Sequence, residues 1–144
     1  MQIERRKFLS SACKACLFTG AGFLLSDLIA CSPTTKIIRL PVMENTVSLP
    51  ISSFSKEPLQ IISPEGWLYN IAVRKTADDQ FEALLLQCTH QQNQLTATPN
   101  GYICTLHGSR FSQEGQVQKG PAALPLKKYS TLTNQDLLII HLNA

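Results

Sequence analysis

The sequence predicts an all-β domain behind an apolar leader. Beyond residue 36 the apolar residues fall in short runs, several of them alternating with polar ones. Pro41, Pro50, Pro58 and Pro64 interrupt those runs before any could extend into a helix. No stretch of ten residues after the leader carries apolar side chains at helical spacing, and there is neither an internal repeat nor a low-complexity segment.

The elements follow in order. Residues 37–42, 46–51 and 59–62 read as short strands. Residues 67–73 alternate, with Trp67, Tyr69, Ile71 and Val73 on one face, which predicts a half-buried strand. Ala77-Asp78-Asp79-Gln80 is a turn. Residues 81–87 form a nearly continuous apolar run, the signature of a central strand. Residues 101–104 read as a short strand and 111–117 as a small turn and strand. Residues 126–133 and 137–142 predict a hairpin around Asn134-Gln135-Asp136. Between residue 87 and the hairpin lies a segment rich in Gln, Gly, Thr and Pro, of the kind that carries function on a rigid sheet.

Residues 1–30 read as an export leader. Glu4-Arg5-Arg6-Lys7-Phe8-Leu9-Ser10 resembles the twin-arginine signal, and a modestly apolar stretch follows from residue 17 to 30. That stretch contains Asp27 and is shorter than the ~20 residues needed to span a bilayer, so an uncleaved membrane anchor is the second reading. Leu28-Ile29-Ala30-Cys31 resembles a lipobox, which implies cleavage before Cys31 and lipid attachment to it. Residues 31–36 would then be a short polar tether and 37–144 the domain, one core's worth of chain. The formal charge of +3 belongs mostly to the leader: four of 13 Lys+Arg and two of 10 Asp+Glu precede Cys31. A nearly neutral remainder gives no reason to expect nucleic acid as a partner.

The five cysteines sort without remainder. Cys13 and Cys16 lie in the leader, where a C-x-x-C has no βαβ context to make it a redox pair. Cys31 ends the leader. Cys88 and Cys104 remain, leaving no pair free for a disulfide. Cys88-Thr89-His90 and Cys104-Thr105-Leu106-His107-Gly108-Ser109 each join one thiol to one imidazole, as C-x-H and C-x-x-H. A structural zinc site also uses two Cys and two His, but usually groups the cysteines in one run and the histidines in another. Zinc stays as an alternative. His141, in a C-terminal apolar run, reads as an ordinary strand residue.

Together the two runs resemble the ligand loops of Rieske [2Fe–2S] proteins, in which two Cys hold one iron and two His the other. The resemblance spans residues 59–142 and is specific over 88–125. It implies an antiparallel β-sandwich with a small cluster-binding subdomain, about residues 88–126. It also implies that Cys88 and Cys104 bind one iron, and His90 and His107 the other. Gly108 stands where backbone amides approach the cluster. Ser109 matches the serine that donates to a cluster sulfur in quinol-oxidising members. Residues 120–126, with Pro121 and Pro125, resemble the proline loop that covers the cluster.

Three departures matter. The extra cysteines that clamp the two loops in the quinol-oxidising branch are Asn93 and Leu106 here, so the loops must be held by packing and hydrogen bonds, with Leu95 and Leu106 as candidate apolar cover. A usual Gly is Gln92, which predicts a different loop geometry. A usual Tyr is Phe111, which removes one hydroxyl donor. With Ser109 kept and that Tyr lost, the resemblance implies a potential below the top of the range of roughly −150 to +300 mV, yet above its ferredoxin-like end.

The resemblance implies an exported, membrane-tethered electron carrier serving a quinol-oxidising respiratory complex. Its alternatives are the small Rieske subunit of an exported molybdenum oxidase of the arsenite oxidase type, a ferredoxin-type component of an oxygenase, and a redox-silent zinc lipoprotein. The chain carries no nucleophile-and-base arrangement and no phosphate-binding glycine loop, so any oxidoreductase activity belongs to the complex it serves.

Overall fold

A computed structural model describes residues 36–78 and 80–143. The twin-arginine run, the lipobox with Cys31, and Cys13 and Cys16 lie outside the described residues. Among the described residues no helix is long and apolar enough to cross a membrane.

The strands are β1 (Ile37–Leu40), β2 (Thr46–Pro50), β3 (Leu59–Pro64), β4 (Ile71–Ala77), β5 (Gln80–Leu85), β6 (Thr96–Thr98), β7 (Gly101–Ile103), β8 (Arg110–Phe111), β9 (Val117–Lys119), β10 (Lys128–Asn134) and β11 (Leu137–His141). A single 3₁₀ turn, Ile51–Phe54, follows β2. Seven strands form one sheet in the order β1-β3-β4-β5-β10-β11-β2, and four form a second in the order β6-β7-β8-β9. The two edge strands of the larger sheet, β1 and β2, touch, so that sheet curls towards a barrel. The all-β expectation holds. One pairing departs from a purely antiparallel sandwich: β1 runs parallel to β3, with Ile37 opposite Ile61. The reversal that allows this lies after β1, where Glu44 (φ 47°) and Asn45 (φ 58°) close a tight turn between Met43 and Thr46.

Alternation decides which way side chains point. In β2, Val47 and Leu49 are buried while Ser48 and Pro50 face out. β3, β4 and β5 behave differently, because both of their faces are covered. Ile62, Ile71, Val73, Ala83 and Leu85 point into one apolar core, shared with Val47, Leu49, Leu138 and Ile140. Ile61, Ala72, Leu84 and Leu86 point into a second core, shared with Cys88, Leu95, Tyr102, Cys104 and Phe111. The continuous apolar run at residues 81–87 is therefore a strand buried on both faces.

The strand expected over residues 67–73 starts four residues later. Gly66 (φ 78°) turns the chain after β3, and the Trp67 N–H donates to the Pro64 carbonyl at 3.1 Å, so residues 65–70 form a connection. The apparent alternation there has another source. Trp67 sits edge-on to Tyr129, with ring centroids 6.1 Å apart, and Tyr69 packs against the first core. From Ile71 onward, Ile71, Ala72 and Val73 are all buried, so β4 is not half-buried. The hairpin expected near the C-terminus is present: Asn134 pairs with Leu137 around Gln135 and Asp136. His141 ends β11, half-buried, opposite Ser130 and Thr46. β6 had no sequence signal; Thr96, Ala97 and Thr98 become a strand by pairing with β7.

Leu84→Ala empties part of the second core and Leu138→Ala part of the first. Each is expected to cost about 2–5 kcal/mol in chemical denaturation. Equal apolar loss on both sides of the central strands is the outcome that supports two cores rather than one core and a solvated face.

Candidate functional site

The second core ends in two loops. The first leaves β5 through Leu86 and Gln87, and is closed by backbone bonds. The Cys88 N–H donates to the Asn93 carbonyl at 2.8 Å, the Leu95 N–H donates to the Leu86 carbonyl at 2.9 Å, and Gln87 bridges Gln94. The second joins β7 to β8. Here the Cys104 N–H donates to the Ser109 carbonyl and the Gly108 N–H to the Cys104 carbonyl, each at 2.9 Å. Gly108 has φ 77°, and a Cβ on it would meet no protein atom within 4 Å. Its role in the protein frame is therefore the left-handed backbone that closes the loop, not relief of crowding.

The four candidate residues divide by type. Cys88 and Cys104 are each 2% exposed at the floor, within the second core. His90 and His107 are exposed at the rim, with ring centroids 5.1 Å apart and planes at 80°. Burial pushes the Cys104 thiol up in pKa. It is outweighed by the Leu106 and His107 backbone N–H groups, the Asn93 amide and the Cys88 thiol, and the net shift is downward. The loop is thus built to hold a thiolate at Cys104. Among the described residues no three His, Cys, Asp or Glu side chains converge on one point that would hold a single metal ion. The donors come as a sulfur pair and a nitrogen pair, a set used both by a two-metal cluster with different ends and by one tetrahedral ion.

Ser109 is fully buried. Its Oγ accepts the Ala122 N–H at 3.0 Å, and among the described residues its own proton has no acceptor. A buried hydroxyl in that state has a donor left for a ligand beside it. The segment 120–126 is tied to both loops, through Ala122 to Ser109 and through Leu124, whose carbonyl accepts the Thr89 hydroxyl at 2.7 Å.

Asn93 joins the loops directly. Its Nδ2 donates to Cys104 Sγ at 3.6 Å. Leu95 is buried as expected, but Leu106 is 55% exposed and covers nothing: the closed turn from Cys104 to Gly108 carries it to the tip. Gln92 adopts no left-handed backbone, and its carbonyl accepts the Tyr69 hydroxyl at 2.9 Å. Phe111 is buried in the second core beside Tyr102, across the β7–β8 ladder. Desolvation pushes the Tyr102 phenol up to about 12, so it stays protonated. In the sequence Asn93 stands out only as a missing cysteine, and no local signal singles out Thr89 as a loop tie.

The model of the Rieske [2Fe-2S] domain matches residues 55–130. A cytochrome b6-f complex iron-sulfur subunit 2 of Synechocystis sp. is 40% identical over 45 residues, covering 31% of this chain and 25% of that protein. A cytochrome b6-f complex iron-sulfur subunit of Chlorobaculum thiosulfatiphilum is 39% identical over 41 residues, 28% of this chain and 23% of that protein. The matched segment therefore spans about a quarter of each curated relative. Among solved structures, the plasma membrane Rieske protein PetC3 of Synechocystis aligns with a TM-score of 0.52 at 23% identity, over 63% of this chain and 93% of that one. The complex of reduced oxygenase and oxidized ferredoxin in carbazole 1,9a-dioxygenase aligns with a TM-score of 0.52 at 19% identity, over 69% and 95%. These two likenesses concern the fold.

Gly101 opens the strand that delivers Cys104. It has φ 135°, and a Cβ there would lie 2.1 Å from the Phe111 backbone oxygen. Gly101→Ala is expected to lower stability by more than about 2 kcal/mol, read by thermal melting, because both the dihedral and the backbone opposite must give. Gly66→Ala, strained at φ 78° but with open space around it, is expected to cost less.

Proposed function

The chain belongs to the Rieske [2Fe–2S] domain family, and we propose that Cys88 and Cys104 hold one iron of its cluster while His90 and His107 hold the other. The observation that carries this reading is the division of the site: two hydrogen-bonded loops hold a buried pair of thiols and an exposed pair of imidazoles, the rings 5.1 Å apart between centroids. When bound, the cluster supplies a reversible one-electron couple.

The chain's own residues do the rest. The buried floor excludes water from the sulfur end, and the N–H groups of Leu106 and His107 with the Asn93 amide place positive dipole there. The Ser109 hydroxyl has a proton to give at the same floor. Such donors favour the more negative, reduced state. The imidazoles stand at the surface, where electrons enter and leave. Each would keep one ring nitrogen free of iron, so a proton can accompany the electron. A quinol donor surrenders both.

The protein is an iron–sulfur electron-transfer protein related to cytochrome b6-f iron-sulfur subunits. Membrane tethering through lipid on Cys31, export through the twin-arginine leader, and service to a quinol-oxidising complex are our extension of that statement. The leader motifs and the names of those two relatives support it.

Reduced holoprotein is expected to give the electron paramagnetic resonance signal of a His-ligated [2Fe–2S] centre, with iron and acid-labile sulfide in equal amounts. A zinc-loaded, silent protein would overturn the reading. Ser109→Ala is expected to keep the signal and lower the midpoint potential by roughly 65–130 mV, the one-electron equivalent of a charge-assisted hydrogen bond of about 1.5–3 kcal/mol. An unchanged midpoint would remove Ser109 from the donor set.

A further inference from the structure

The four-stranded sheet has a buried face and an outer one. Tyr102 and Phe111 are paired and buried, so their neighbours Ile103 and Arg110, also paired, take the outer face. Lys119 of β9 pairs with Arg110 where the β8–β9 register shifts at a bulge, and both are exposed. Like charges placed opposite each other across an antiparallel pair destabilise it. No ion pair relieves them among the described residues. The other strand bases near the site are neutralised: Arg74 bonds Glu82 and Glu114 at 3.0 and 3.1 Å, and Lys128 pairs with Glu82. Glu114 is the sole acid from Cys88 to Lys128, and it is taken by Arg74.

Beside Arg110 lies a surface cavity of about 240 Å³, lined by Thr98, Asn100, Ile103, Arg110 and Gln118. It offers a guanidinium and two carboxamides with no carboxylate. That is the donor set for a carboxylate, which a guanidinium grips at two points. Arg110 is also the residue after Ser109, so whatever binds there lies beside the second loop.

We propose that the outer face around Arg110 and Lys119 docks an acidic protein partner, with one of its carboxylates entering the Arg110 cavity. The repulsion across β8–β9 is then tolerated because the partner relieves it. An anionic membrane is the weaker occupant: recognition of anionic lipid usually takes clusters of about 4–8 bases, and this face carries a single pair beside a shaped cavity. The inference rests on the reading that the chain exchanges electrons with another protein.

The test uses holoprotein and a fluorescent hexaglutamate peptide. Binding is expected to weaken as salt rises. The double variant Arg110→Gln, Lys119→Gln is expected to bind about three- to tenfold more weakly at low salt, the range of a few surface charge pairs. Lys56→Gln, after the 3₁₀ turn, is expected to bind as the unchanged chain does. Lys119→Gln alone is expected to raise the melting temperature, since it removes the cross-strand repulsion. Equal peptide binding by the double variant overturns the proposal, as does an equal loss in Lys56→Gln. Sedimentation with phosphatidylglycerol vesicles that the double substitution abolishes, while peptide binding is unchanged, assigns the face to lipid and likewise overturns it. The paramagnetic signal separates the two readings. Signal present with no peptide effect refutes the docking face alone. Signal absent refutes the cluster, and the peptide titration still decides the face.

Discussion

The constraint on which the structure depends is that β3, β4 and β5 are covered on both faces. Alternation along each strand then divides its side chains between two cores. Ile61 and Ile62, neighbours in sequence, serve different cores, as do Leu84 and Leu85. A one-residue slip in any of these strands would exchange the cores' contents, so register is strongly specified. The second core is also the floor of the site, because Cys88 and Cys104 belong to it. Stability and site geometry are thus coupled through the same apolar contacts.

On that floor the loops are held without a covalent clamp. Three side-chain bonds take its place: Asn93 to Cys104, Thr89 to Leu124, and Ala122 to Ser109. At about 0.5–1.5 kcal/mol each, they approach the 2–4 kcal/mol typical of a disulfide. They act differently. A disulfide constrains the unfolded chain, whereas these bonds form only in the folded one, and two of them run through residues 120–126. A bond lost there loosens that segment as well as the loops.

The sequence was most legible where one physical rule dominated. The paired C-x-H and C-x-x-H runs pointed to the family, because few chemistries need one thiol and one imidazole on each of two loops. The apolar run at 81–87 marked the central strand, and Asn134-Gln135-Asp136 marked the hairpin. The rest depended on tertiary contacts that leave no local trace. Trp67 and Tyr69 alternate like strand residues yet belong to a connection, because Gly66 turns the chain and Tyr129 offers a ring to pack on. Thr96–Thr98 has no apolar pattern and becomes a strand only by pairing with β7. Leu106 looked like cover and is exposed, since the direction of a side chain at a loop tip follows from backbone closure rather than hydrophobicity. Thr89 is one of many threonines, and nothing local marks it as the one that reaches Leu124.

The central claim is that the two imidazoles and the two thiols bind opposite ends of one cluster. Nitrogen hyperfine spectroscopy on reduced protein carrying ¹⁵N-histidine tests it most directly. The account predicts couplings from two inequivalent histidine nitrogens, one lost with His90→Ala and the other with His107→Ala in whatever cluster survives. A spectrum without histidine nitrogen coupling, or one whose couplings persist in both variants, would contradict it.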